Sequence, residues 1–173
     1  ALSLPDALPI YIRETDAIAQ VVRCFEDEDI AHVSNAIDPL SDIETINTEL
    51  LLADMESIAR QTERAGKQAK SNEKEAKAKY EFMQRVQAHV EGGRHARSFE
   101  PADNQRGWMK DLHLITAKPV LYIANVSEDG FDNNPHLDAV REYAAGEGAE
   151  VVAVCAAIEA DIAELDAAEA AEF

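Results

Sequence analysis

A chain of 173 residues with 46% apolar side chains can build one domain around a packed core, or one domain with an extension. Sixteen Lys and Arg against 34 Asp and Glu give a formal charge of −18, which argues against general nucleic-acid affinity. No apolar run approaches the roughly 18 residues a membrane span needs, and no charged segment leads into an apolar stretch as a secretory signal would.

Residues 1–10, ALSLPDALPI, follow no helical or strand period. They differ only at Ala1 and Pro5 from TLSLHDALPI, one reading frame of a common sequencing adapter. Residues 1–11 are therefore set aside as a non-native segment, a native loop being the other reading. Residues 12–19 read as the tail of a helix and 20–25 (QVVRCF) as a strand, ended by the acidic cluster EDED. Asp38 and Pro39 break the chain. Ser41 and Asp42 are then placed to cap a helix, with Glu44 completing a capping box. From Ile43 apolar residues recur at Ile46, Leu50 and Ala53, with Leu51, Met55 and Ile58 alongside, a wide helical stripe.

Past Ile58 the chain stays helix-forming but turns almost uniformly polar up to Tyr80, and apolar residues resume at Phe82, Met83, Val86 and Val90. Gly66 and Ser71–Asn72 mark one turn, Gly92–Gly93 a second. This predicts two helices in an antiparallel coiled-coil hairpin projecting from the body; low-complexity disorder is the competing reading. Ten Lys and Arg stand against five acids between residues 60 and 97, so this limb carries +5 and the remainder −23. A basic limb on an acidic body reopens a nucleic-acid role that the total charge denies.

Trp108 opens a helical stretch to Thr116 and reads as a packing anchor at the base of the limb. Then PVLYIANV reads as a strand, NPHLDAVREYAAGEG as a helix with a glycine stop, EVVAVCAA as a strand and IEADIAELDAAEAAEF as a helix with a solvated acidic end. Strands alternating with helices predict an α/β body on a parallel sheet with right-handed crossovers. Strands apolar on both faces predict a sheet covered on both sides. The body comprises residues 12–58 and 116–173, and the limb, 59–115, is inserted in it. Cys24 and Cys155, both in apolar runs, read as buried reduced thiols of a cytosolic protein.

Open α/β sheets bind ligands beyond the carboxyl ends of their strands. Asn125 and Glu128 follow one strand; Cys155, Ala156 and Ala157 follow the next. An Asn amide offers a donor and an acceptor to the polar edge of a base. The carboxylate three residues later can accept ring N–H groups, and small residues at the next strand end let backbone N–H groups approach. N-x-x-E on its own is equally explained by a turn at a helix start. His32, His89, His95, His113 and His136 have no metal-ligand spacing, so no metal site is expected. Arg23 reads as an ion-pair or surface residue, and no Ser/His/Asp or Cys/His spacing suggests a catalytic residue.

Four stretches together carry a resemblance: IRETDAIAQVVRCFEDEDIAHV (12–33), IDPLSDIETINTELLLADMESI (37–58), KPVLYIANVSEDGFDNNPHLDAVREYA (118–144) and VVAVCAAIEADIAELD (151–166). The chain resembles the Obg-like ATPase (YchF) family of P-loop nucleotide hydrolases from residue 12 to its end, least distinctively over 60–115. The resemblance implies part of a G-type nucleotide-binding domain with a helical coiled-coil insertion. It places Asn125, Val126, Ser127 and Glu128 on the base-recognition motif and Cys155, Ala156 and Ala157 on the second base-contacting loop. Ordinary GTPases have N-K-x-D at the first of these. Here Val126 replaces the Lys that packs over the base, and Glu128 is one methylene longer than Asp. Both changes loosen guanine-specific geometry, and the family implies ATP, with GTP bound less well. The basic limb, represented by Lys67, Lys70, Lys74 and Lys77, fits the family's contact with RNA or the ribosome.

The departures are large. No G-x-x-x-x-G-K-[ST] occurs; Gly66–Lys67 is followed by Gln68. In the family, the phosphate loop, the magnesium-binding threonine and the D-x-x-G switch all fall before residue 12, and a small β-rich TGS domain falls after residue 173. The expectation is therefore a cytoplasmic fragment, inactive alone and prone to self-association, of an ATPase that uses ATP and Mg²⁺. A non-enzymatic RNA-, ribosome- or protein-binding module built on the limb is the competing function.

Overall fold

The computed structural model describes residues 12–26, 37–69 and 74–164. Outside them lie residues 1–11, His32, Lys70, the Ser71–Asn72 turn, the acidic tail and all of EDED but its first residue. The chain divides into two compact units, a helical one of residues 12–18 and 45–119 and a sheet unit of residues 19–44 and 120–164.

The sheet has three strands in the order β1 (Ile18–Arg23), β2 (Val120–Asn125), β3 (Glu150–Val154). Ile18 N–H donates to Pro119 O (3.0 Å) and Cys24 N–H to Asn125 O (2.8 Å). Both strands advance six residues between these bonds, so β1 and β2 are parallel. β2 and β3 are parallel with Tyr122 opposite Val151 and Ile123 opposite Val152. A crossover must join parallel neighbours, and α4 (Pro135–Glu147) supplies it between β2 and β3. Asn134 caps that helix, Pro135 occupies its first turn at no cost in hydrogen bonds, and Gly148 ends it in the left-handed region at φ 68°. The last described helix, α5 (Ala156–Glu164), follows β3 after one residue.

One sheet face is closed by α4 and by the first turns of α1 (Pro39–Gln68). Val22, Cys24, Tyr122 and Ala124 pack there with Ile43, Leu137, Val140 and Ala144. Each large side chain fully buried in this way contributes roughly 1.5–3 kcal/mol. Tyr122 is buried to its hydroxyl, which donates to Glu147 (3.0 Å), and its ring meets Tyr143 edge-on. Among the described residues the opposite face lacks the cover that its apolar sequence predicts: Val21 is 67% and Val152 46% exposed.

In the helical unit, α1 runs unbroken for 30 residues and α2 (Lys74–Glu91) for 18. Gly66, late in α1, meets Tyr80, early in α2, whereas Ala59 and Thr62 share a groove with Gln84, Gln87 and Glu91. The two helices are thus antiparallel. The turn expected at Gly66 is not one. A Cβ there would stand 3.0 Å from the Tyr80 ring, so this glycine serves close helix packing. The helix start also moves: Asp38, not Ser41, is the cap. Its carboxylate accepts from Ser41 N–H (3.1 Å), and Pro39 takes the first helical position.

Phe82, Met83, Val86 and Val90 of α2 pack with Ile58, Leu112 and Leu114, and Phe82 lies against both Phe99 and Trp108. The single helix expected over 108–116 is two pieces, α3 (Arg106–Asp111) and a 3-10 turn, Ile115–Ala117. His113 breaks it at φ 48°, and the N–H groups of Ile115 and Thr116 turn onto the Asp54 carboxylate at 2.8 and 2.7 Å. Among the described residues no helix is long and apolar enough to cross a membrane.

Candidate functional site

The carboxyl ends of β2 and β3 bring together the residues that the sequence singles out in the sheet unit. Asn125 is the last residue of β2, and its side-chain Oδ1 accepts from Ala156 N–H, the first residue of α5, at 3.0 Å. Two loops 31 residues apart in sequence are joined by this one bond. The bond also settles which end of the amide is used: Nδ2 has no protein acceptor among the described residues.

Val126 N–H donates to Val154 O (2.9 Å), extending the ladder by one residue, and the Val126 side chain is buried in the sheet core. Only the backbone of Val126 lies at the site. Ser127 opens a turn that Gly130 N–H closes onto Ser127 O at 2.9 Å, and the Ser127 hydroxyl donates to Asp129 (3.0 Å). Glu128 is the second residue of that turn, solvent-exposed and without a protein hydrogen bond among the described residues. Cys155 is buried; its carbonyl accepts from Glu159 N–H (3.1 Å), which starts α5. Ala156 and Ala157 are exposed, and helix geometry leaves the Ala157 N–H without an intrahelical acceptor.

The chemistry on offer is one amide donor, one carboxylate acceptor and one backbone donor. That set fits the polar edge of a purine, which presents ring acceptors beside an exocyclic group. It does not fit a triphosphate: no cation stands among these residues. Among the described residues no group of three His, Cys, Asp or Glu could hold a metal ion.

Asn134 escaped the sequence reading, although an Asn directly before a Pro at a helix start is a cap signature. Its Nδ2 donates to Cys24 O (2.9 Å) and Gly130 O (3.0 Å), while its Oδ1 accepts from His136 N–H (3.0 Å) and Leu137 N–H (3.2 Å). Cys24 has its thiol pushed up from 9.0 to about 11 by burial. Arg23 lies over the Phe25 ring at 4.9 Å and donates to its carbonyl.

The limb lysines are not brought to this site; they belong to the helical unit. Lys67 is exposed and paired with Glu63 at 2.7 Å, and the Lys67 hydrogen bond and charge hold the Glu63 carboxyl below its usual range. Lys74 and Lys77 are exposed on α2. His89, buried in α2, is held by Ser98 Oγ (2.8 Å) and His95 O (3.1 Å).

No family model matches the chain. Over 162 residues, 94% of this chain, it is 54% identical to the ribosome-binding ATPase YchF of Haemophilus influenzae, and over 166 residues 48% identical to that of Bacillus subtilis. In each case it spans 45% of the relative's length, less than half of these curated proteins. The solved structure of the Schizosaccharomyces pombe YchF GTPase superposes with a TM-score of 0.85 at 29% identity, covering 99% of this chain and 48% of that one.

Proposed function

The chain belongs to the YchF branch of the Obg-like ATPases, and on that premise we propose that it is the base-recognising and helical portion of a cytoplasmic ATPase that binds the ribosome. Asn125 Nδ2 donates to a purine acceptor, Glu128 accepts from the adenine amino group, and Ala157 N–H lines the same edge. ATP is preferred and GTP taken less well, because Val126 cannot cover the base as a Lys would. No G-x-x-x-x-G-K-[ST] occurs in this sequence, so on this reading the phosphate loop and the Mg²⁺ ligands are supplied by residues other than these. When bound, Mg²⁺ would neutralise charge on the transferring phosphoryl group, and without that machinery this chain alone does not hydrolyse ATP.

The Asn125–Ala156 hydrogen bond carries this reading, because it fixes both base loops as one unit and orients the amide. Isotope-edited NMR of the chain with added adenosine tests it. Saturable shifts at Asn125, Glu128 and Ala156 with a Kd of about 1 mM are expected. Replacing Asn125 by Ala should abolish them. Adenosine that shifts residues elsewhere, or none, sinks the reading.

The charge of the limb supports RNA or ribosome contact through Lys67, Lys70, Lys74 and Lys77. Neutralising three of them should flatten the salt dependence of RNA binding by roughly 0.7–0.9 log unit per lost phosphate contact. Binding to RNA that ignores ATP even in the whole protein would favour the non-enzymatic module instead. The sheet face left uncovered among the described residues also makes self-association part of the proposal.

A further inference from the structure

We propose that Asn134 is a positioning residue for the base site: it holds Glu128 where that carboxylate can read the exocyclic group of the base. The inference rests on the base-binding reading above.

Three parts of the sheet unit converge on this one side chain. The Cys24 carbonyl at the end of β1 and the Gly130 carbonyl at the end of the 127–130 turn each accept one Nδ2 hydrogen, at 2.9 and 3.0 Å. The first two free N–H groups of α4, those of His136 and Leu137, share the Oδ1. An amide has two donor hydrogens and two acceptor lone pairs, so every hydrogen-bonding position of Asn134 is used. No other side chain offers two donors and two acceptors at that length except through such an amide.

The consequence falls on Glu128. Its turn is closed by the Gly130 N–H to Ser127 O bond, and Asn134 holds the carbonyl of that same Gly130. Gly130 has no room for a side chain: a Cβ there would lie 2.7 Å from Ser127 Oγ. Glu128 makes no protein hydrogen bond of its own among the described residues, so the turn backbone sets where its side chain starts and which direction its carboxylate can reach. Asn125, by contrast, is held directly by the sheet and by Ala156, and Asn134 reaches it only through Cys24, whose N–H donates to Asn125 O. The two halves of the site therefore differ in their direct anchors, and the Glu128 half is the one whose turn Asn134 touches.

Capping and positioning can be separated by substitution. Ser and Asp cap helices about as well as Asn. Neither supplies the two N–H donors. Asn134→Ser keeps α4 capped and releases Cys24 O and Gly130 O; Asn134→Asp does the same and adds anionic repulsion against both carbonyls.

The probe is a pair of nucleosides titrated into the chain by NMR: adenosine, and purine riboside, which lacks the 6-amino group that Glu128 would accept from. The unsubstituted chain should bind adenosine about tenfold more tightly, equivalent to about 1.4 kcal/mol. In Asn134→Ser adenosine should fall to the affinity of purine riboside, while purine riboside itself is unchanged and its shift at Ala156 persists. Gly130→Ala, which displaces the same turn from within, should give the same selective loss. Equal weakening of both nucleosides would reduce Asn134 to a structural cap, and an unchanged ratio would remove its role; either overturns the inference. If neither nucleoside binds the unsubstituted chain, the base-binding reading itself falls and takes this inference with it.

Discussion

The Asp54 carboxylate is fully buried and receives four hydrogen bonds, from the N–H groups of Ile115 and Thr116, the Thr116 hydroxyl and Arg13. It ties the middle of α1 to the strap that enters β2. Arg13 in turn donates to Ala53 O and His113 O, so its charge is spread over backbone acceptors as well. Replacing Asp54 by Ala leaves several buried donors unpaired and strands Arg13. A loss of about 3–5 kcal/mol is expected, read as a lower urea midpoint. A loss under about 1 kcal/mol would place the pair in the class of weak surface bridges. Cys24 gives a pH prediction with a definite sign. Burial raises its thiol from 9.0 to about 11, so the fold prefers the protonated form. Its contribution is complete below pH 9 and is lost as pH rises toward 11. Alkylation of Cys24 at pH 9 should therefore wait for unfolding, and rapid labelling of the folded chain would contradict its burial. At this scale the sequence was legible in placement: Asn125 ends β2 and Glu128 stands in the turn that follows. It was opaque at Asp54, which looks like an ordinary polar residue between Ala53 and Met55, and at Asn134, whose partners Cys24 and Gly130 lie on other segments.

Elements were legible where periodicity and punctuation agree. The alternation of strand and helix after residue 118 yields β2, α4 and β3 in the expected order, with Gly148 as the stop. Punctuation misled where a glycine does another job. Gly66 looks like a turn, yet α1 passes through it because Tyr80 needs the space. The 108–116 stretch has helix-forming composition, but Asp54 draws two of its N–H groups away from an intrahelical partner. Tertiary contacts override local preference in both cases. The helical unit itself hinges on Phe82, which has no exposed surface and meets Phe99 edge-on at 5.9 Å and Trp108 at 5.8 Å. Phe82→Ala should cost about 3–5 kcal/mol, since transfer and cavity costs add at a site closed by two rings. Hydrogen exchange would check where the cost is felt: protection should fall in α2 and α3 while β2 and α4 keep theirs. Uniform loss across the chain would mean the two units unfold as one.

A parallel sheet buried on both faces carries apolar residues on both, and β1–β3 are written that way. Yet among the described residues only one face is packed. Tyr122 and Ala124 point into a closed core; Ile123 and Val152, opposite one another on the other face, do not share it. Val21 at 67% and Val152 at 46% exposure, on the two outer strands, put apolar surface at both margins of this face. The net charge of −18 opposes association, but these margins carry no charged gatekeeper beyond Arg23 and Glu150, and salt screens the repulsion within about 10 Å at 0.1 M. The apolar term should prevail at tens of micromolar, on the order of concentrations where exposed strand surface drives aggregation. Sedimentation equilibrium of the chain is expected to show self-association that strengthens with salt. Val21→Lys together with Val152→Lys should return it to a monomer without lowering the melting midpoint, because neither side chain supports the packed core. A monodisperse monomer for the unsubstituted chain at that concentration would show that charge repulsion outweighs the open face.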